Sequence, residues 1–362
     1  MKKIRVTNMN KIVSHITRKT LRTLGVKDIE FFKHQHLGRS YYWTDFPTVI
    51  QLDLCNRCGP KYTGILCKYC KPQRDVICGI KQHREMDDEV IDWVLKDVSR
   101  YGQKMAFITD FLDGDGLDSC LPEKRRRIKK AAPWLRIQTF TCGTRPENAE
   151  LLLGSELDWI CVTLSAHNES MYKAVHGGDK FNEVLKTMKI LNEKHRTNQL
   201  LEVHYVVNKY NIGFMADWLK LMQTEFPEWN PKFSPLVNTE SGDSVNAWGT
   251  LSTEDQEIAI RNVGGADFWG RDNLSARRPC VLWDNDDVGA DGSLLQCCRW
   301  GDKDWDYGNA KDYIKNDWSF RDYHIKKVLN RLRNPFCSRC NMKAPNWGEK
   351  VSKIDVRGVV YP

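Results

Sequence analysis

The chain has 362 residues, 41% of them hydrophobic and 28% charged, with a mean hydropathy of −0.56. That composition excludes a disordered tail, and no apolar run approaches the roughly 18 residues that a membrane-spanning helix needs. Net charge is +8, and the whole excess lies in the first forty residues, where ten basic side chains from Lys2 to Arg39 face only Asp28 and Glu30. Residues 1–46 therefore read as a basic N-terminal extension, a solvated helix or a contact for a protein or peptide partner rather than a nucleic-acid grip. The opening MKKIRVTNMNKIVSH is basic but lacks the apolar centre of a secretory signal, so a cytoplasmic, reducing location is expected.

From residue 47 strand and helix patterns alternate. In TVIQLDL, Ile50, Leu52 and Leu54 alternate with Gln51 and Asp53, the period of a strand. Val90, Ile91, Val94, Leu95 and Val98 then make one helical face, with Asp87 as a cap and Gly102 as a stop. Further strands are expected at 104–109, 135–140, 158–164, 201–207 and 232–236, with helices at 181–195 and 214–226 among the intervening segments. Six strands with a helical pattern between them predict a parallel sheet with helices outside. Residues 47–236 are too short for a closed eight-stranded barrel of about 250 residues. The expected fold class is α/β, a six-stranded open (partial) TIM barrel, with a doubly wound sheet as the competing arrangement. Residues 237–275 read as a polar linker, 276–345 as a small Cys-rich α+β domain and 346–362 as a tail.

Thirteen cysteines in a reducing compartment point to metal where they cluster. Cys55, Cys58, Cys67 and Cys70 crowd together directly after the first strand, the end at which parallel α/β folds build their sites. The spacing admits a C-x11-C-x2-C set from Cys55, a C-x8-C-x2-C set from Cys58, or a four-cysteine zinc knuckle.

A strand followed by Cys55-Asn56, and later by Cys67-Lys68-Tyr69-Cys70, resembles the opening of the radical S-adenosylmethionine (radical SAM) superfamily. In that family the motif is C-N-x-x-C-x-aromatic-C; here the first gap is expanded to eleven residues. Cys55 is favoured over Cys58 as first ligand because it takes the strand-end position and precedes an Asn. Later strand ends continue the resemblance. Asp113-Gly114-Asp115-Gly116 matches the turn that receives the SAM amino group, with Asp115 replacing Glu. Thr141-Cys142-Gly143 resembles a T-N-G turn, Ser165 the Ser that approaches SAM, and Asn208 a polar SAM contact. Tyr172, Lys173, Gly177 and Gly178 follow the familiar Y-K-x-x-x-G-G order. Tyr69 would line the cofactor from inside the cysteine loop.

The resemblance implies that Cys55, Cys67 and Cys70 hold a 4Fe–4S cluster with one iron left open to chelate SAM. Reductive cleavage of SAM then yields a 5′-deoxyadenosyl radical that abstracts hydrogen from an organic substrate. His167, His176 and His204 read as structural more readily than as acid–base groups. Lys124-Arg125-Arg126-Arg127, with Lys129 and Lys130, reads as a solvated helix face.

The second cluster, Cys280, Cys297, Cys337 and Cys340, follows the order C-x(9–15)-G-x4-C…C-x2-C, with Gly292 at an expected hairpin turn. This resembles the Twitch and SPASM extensions of radical SAM enzymes. The absence of cysteine after Cys340 favours the shorter Twitch type, which implies one fully ligated auxiliary 4Fe–4S cluster; structural zinc is the alternative. The function implied is an oxidoreductase or modifying enzyme acting on a small molecule or peptide, with flavodoxin or ferredoxin as electron donor. Membrane and nucleic acid are not expected partners. The rival reading is a non-catalytic zinc protein that binds nucleic acid.

Overall fold

The computed structural model describes residues 46–68, 82–110, 113–117, 121–154, 156–235, 267–268, 285–295 and 307–331, with 252, 254 and 257 singly. The expected alternation is present. β1 (Val49–Leu52), β2 (Phe107–Thr109), β3 (Arg136–Thr141), β4 (Trp159–Thr163), β5 (Leu200–Val207) and β6 (Asn230–Pro235) lie side by side in chain order, each parallel to the next. Between them run α1 (Pro60–Thr63), α2 (Asp88–Tyr101), α3 (Leu121–Ala131), α4 (Ala149–Leu153), α5 (Glu169–His176), α6 (Phe181–Lys194) and α7 (Met215–Glu225).

The strand count differs from the expected six. The sheet has nine strands, because β7 (Asp267–Phe268) pairs parallel with β6, and β8 (Asn285–Val288) pairs parallel with β1. β9 (Leu294–Leu295) closes an antiparallel hairpin on β8. Among the described residues the two outer strands, β7 and β9, do not meet, so the sheet is open.

Side-chain alternation sorts the sheet into two faces. Ile50, Leu52, Ile108, Ile137, Ile160 and Val203 join the large core formed with the helices. Val49, Phe107, Trp159 and Cys161 form a smaller cluster on the opposite face. Helix faces follow the 3.6 period: α6 buries Phe181, Val184, Met188 and Leu191. Gly102 ends α2 as the sequence suggests, its N–H bonding Val98 O. Asp87 takes the N-cap position, but its side chain makes no cap; instead it pairs with Lys311 Nζ at 2.5 Å.

The C-terminal segments pack onto this same body. α8 (Ala310–Lys315) and α9 (Phe320–Arg331) dock against α2. Trp93 Nε1 donates to Trp318 O at 2.8 Å, the Arg321 N–H donates to Asp97 Oδ2 at 2.8 Å, and the Trp93 and Phe320 rings meet edge to face. Beneath α9 lies a buried polar set: His324 Nδ1 is 2.9 Å from Asp286 Oδ2, and Lys327 Nζ is 3.2 Å from Asp286 Oδ1. Gly292 has φ 80° and turns the β8–β9 hairpin as expected. Asn309 fastens that turn, donating from Nδ2 to Asp291 O at 2.8 Å while its Oδ1 caps α8 through Lys311 N. Of the described residues, no helix is long and apolar enough to cross a membrane.

Candidate active site

The C-terminal ends of β1 to β5 gather most of the residues the sequence singled out. β1 runs through Asp53 and Leu54 into Cys55, which is buried at 1% exposure. Asn56 explains its place after that cysteine. Its Nδ2 donates to Gln82 O at 3.1 Å and its Oδ1 accepts from Arg84 N at 2.7 Å, so it ties the start of the cysteine loop to its return. The Cys55–Glu85 bridge lies beside this tie.

The turn after β2 sits on the back of Cys55. A Cβ on Gly114 would lie 1.7 Å from Cys55 O, so only glycine permits this approach. The Asp113 N–H donates to Asp53 Oδ1 at 3.1 Å, and the Asp115 N–H to Arg57 O at 3.0 Å. Asp115 then reaches across to β3. Its Oδ1 accepts from Thr141 Oγ1 at 2.8 Å and Leu117 N at 2.9 Å, and its Oδ2 from Cys142 N at 2.7 Å. Three donors hold this carboxylate in one orientation at the junction of β2 and β3. Burial, then Asp115, then Cys58 push the Cys142 thiol well above its usual range, so it stays protonated.

The second arm of the loop, Ile65 to Lys68, lies on α5. Gly177 and Gly178 make room for it: a Cβ on Gly177 would meet Leu66 O at 2.4 Å, and one on Gly178 would meet Gly64 O at 2.9 Å. The Lys68 N–H donates to Val175 O at 3.1 Å. His176, wholly buried, lies between this arm and β4. The Ser165 N–H donates to its Nε2 at 3.1 Å, and its Nδ1 lies 3.2 Å from Cys67 Sγ. Burial lowers its pKa to about 3, so the ring is neutral. The Y-K-x-x-x-G-G order thus has a physical reason here, as the bed for Cys67.

Ser165 and Asn208 are placed at neighbouring strand ends but turned into backbone duties. Ser165 Oγ accepts from Val206 N at 3.0 Å. Asn208 Oδ1 accepts from Tyr210 N at 2.9 Å, and Asn211 Nδ2 donates to Ser165 O at 3.1 Å. Tyr69, Cys70, Cys280, Cys297, Cys337 and Cys340 lie outside the described residues. A pocket of about 300 Å³ opens beside Asn56, lined by Asp53, Arg84, Asp113 and the hairpin residues Asp291 and Ser293 among others.

Two features were missed by sequence reasoning. The basic run on α3 is only partly a solvated face: Arg126 and Lys130 are exposed, but Lys124 and Arg125 turn inward. Arg125 is 1% exposed; it pairs with Asp110 and donates to Gly116 O at 3.1 Å and Thr139 Oγ1 at 3.2 Å. Lys124 Nζ donates to Met86 O at 2.7 Å, and Lys129 pairs with Asp158 at 2.6 Å. Arg125 therefore braces the Asp-Gly turn from behind. The second feature is a polar row on the sheet face away from the helices. Glu202 pairs with His204 and with Lys232 Nζ at 2.8 Å, and Cys161 Sγ lies 3.6 Å from Glu202 Oε1. Burial alone would raise the Glu202 carboxyl, but His204 and Lys232 hold it below its usual value. Cys161, buried in the small apolar cluster, also takes a hydrogen bond from Gln138 Nε2 at 3.4 Å. The strand period at LEVHYVV could have placed Glu202 and His204 on one face.

The residues present fit an iron–sulfur cluster. Cys55, Cys58 and Cys67 form no disulfide, they are soft thiol donors, and the glycine cradles at Gly114 and Gly177 hold the two arms of their loop against the strand ends.

Residues 55–221 match the family described as the Radical SAM superfamily. Among solved structures, SuiB of Streptococcus suis bound to S-adenosylmethionine aligns at 14% identity and a TM-score of 0.56, covering 90% of this chain and 76% of that chain. SuiB alone aligns at 12% identity and 0.58, covering 82% and 71%. SuiB bound to the precursor peptide SuiA aligns at 12% identity and 0.56, covering 90% and 75%. At these identities the likeness carries the fold, a mostly parallel α/β sheet of the partial TIM-barrel kind. No curated protein matches in sequence. These matches give no support to a non-catalytic zinc protein.

Proposed function

We propose that the protein is a radical SAM oxidoreductase or modifying enzyme acting on a peptide or small molecule. The observation that carries the reading is the packing of the Gly114–Asp115 turn after β2 against Cys55 after β1 and against Thr141 and Cys142 at the β3 end, with Cys67 held separately against His176. Cys55, Cys67 and Cys70 would hold the SAM-binding 4Fe–4S cluster, with Cys58 the competing first ligand. Such a cluster, when bound with SAM on its open iron, supplies the electron that releases a 5′-deoxyadenosyl radical.

The chain's own part is placement. Gly114 and Asp115 present the turn to the cofactor's amino group, and Thr141 fixes the Asp115 carboxylate; Tyr69 would line the cofactor. Ser165 and Asn208 set the β4 and β5 ends against which the nucleoside would lie. Cys280, Cys297, Cys337 and Cys340 would bind an auxiliary 4Fe–4S cluster in a Twitch-like extension. The hairpin β8–β9 supports this, because its antiparallel pairing brings the two strand ends leading toward Cys280 and Cys297 to one end. A fully ligated second cluster suits acceptance of an electron from substrate, hence oxidation. A flavodoxin or ferredoxin would deliver the first electron, in the cytoplasm.

The test is anaerobic reconstitution followed by assay for 5′-deoxyadenosine. Cys67→Ala and Cys70→Ala should abolish its formation while the auxiliary cluster remains. Separate Cys55→Ala and Cys58→Ala variants, compared by iron content, assign the first ligand. Retained 5′-deoxyadenosine in Cys67→Ala overturns the assignment.

A further inference from the structure

We infer that His176 is a positioning residue for the SAM-binding cluster: its Nδ1–H donates a hydrogen bond to the Cys67 thiolate and raises the cluster's reduction potential. The inference rests on the proposed role of Cys67 as a cluster ligand. The direction of the bond follows from the opposite ring nitrogen. A backbone N–H is a donor only, and that of Ser165 lies 3.1 Å from Nε2, so Nε2 is the acceptor nitrogen. In the neutral ring the proton then belongs to Nδ1, which lies 3.2 Å from Cys67 Sγ. Ring rotation is blocked on one side by Tyr172, whose ring stacks on the imidazole at 4.4 Å and 24°. Burial is complete, with 0% exposure, so water does not compete for the bond.

The electrostatic consequence has a definite sign. One electron, delivered by the flavodoxin- or ferredoxin-type donor, adds negative charge that spreads onto the ligand sulfurs; no proton moves and no bond is broken. A fixed N–H aimed at one sulfur stabilises the reduced state more than the oxidised one, which raises the potential. The same side chain joins the cysteine loop to the β4 end through Ser165, so cluster and barrel keep one relative position.

The experiment uses the full chain, reconstituted anaerobically, and follows the electron-paramagnetic-resonance signal that responds to added SAM during a redox titration. His176→Gln retains an acceptor for Ser165 but loses the donor at the Nδ1 position. It should keep wild-type iron content while its reduction constant falls about tenfold, equal to about 59 mV for one electron. His176→Asn carries an amide N–H near the Nδ1 position and should restore most of that loss. An unchanged constant in His176→Gln at full iron content overturns the inference. Should either variant fail to load iron, reduced wild-type protein labelled with ¹⁵N-histidine decides instead: a hyperfine coupling to the cluster is expected, and its absence overturns the hydrogen bond. If Cys67→Ala retains the SAM-responsive signal, the ligand assignment itself falls and this inference falls with it; a Cys67→Ala loss of that signal together with an unshifted His176→Gln sinks the inference alone.

Discussion

Gly114 is the residue on which the candidate site is least tolerant. Any Cβ there meets the Cys55 carbonyl at 1.7 Å, and a backbone atom of the cysteine loop has to move. Gly114→Ala should therefore fold, because the clash lies at a loop, but load much less iron at the 55–70 site; iron analysis beside a circular-dichroism melt separates the two effects. Arg125 makes the opposite kind of demand. Its loss leaves Asp110 buried at 0% exposure without its cation, so Arg125→Met should cost roughly 3 kcal/mol or more in a urea melt. Glu202 gives a pH signature. Its folded pKa lies below the usual 4.5, so its contribution is complete above that value and is lost as pH falls through the folded pKa. Glu202→Gln should flatten this acid-side loss below pH 4.5, with roughly 3 kcal/mol given up at neutrality. At this scale the sequence showed Asp115, Thr141 and Gly114 because their types and strand-end order carry the pattern. It did not show Arg125, because a run of like charges on a helix does not say which member turns inward.

Strands β1 to β6 were legible because each shows the two-residue period or a β-rich apolar run, and helices α2, α6 and α7 because their apolar faces repeat at helical spacing. The added strands were not. β7 and β9 are two residues each, too short to display any period. β8 reads Asn-Asp-Asp-Val, a turn by composition, and becomes a buried strand only because His324 and Lys327 on α9 meet its Asp286. That compensation comes from a distant helix and leaves no local trace. The docking of α9 on α2 is testable through Trp93, which packs on Phe320 and holds Trp318 O. Trp93→Ala should destabilise by about 3–5 kcal/mol in chemical denaturation, with helix content retained at low denaturant.

Over the whole chain, the proposed function predicts about eight iron and eight sulfide per protomer, the content of two 4Fe–4S clusters. Cys337→Ala should fall to about four of each, keep some 5′-deoxyadenosine formation and lose substrate turnover; an unchanged iron count would remove the auxiliary cluster from the proposal. The division into barrel, linker and Cys-rich extension was expected from a change in composition, yet β7 falls within the expected linker and β8 lies in the same sheet as β1. That pairing has a consequence for synthesis. β1 leaves the ribosome before the other described strands, while β8, which covers its free edge, is translated only after β2 to β7. Throughout most of elongation the nascent protein carries an open, apolar strand edge beside its cysteine loop. Chains released before Asn285 should be the ones that chaperones retain or that precipitate, whereas those released after Arg331 should not.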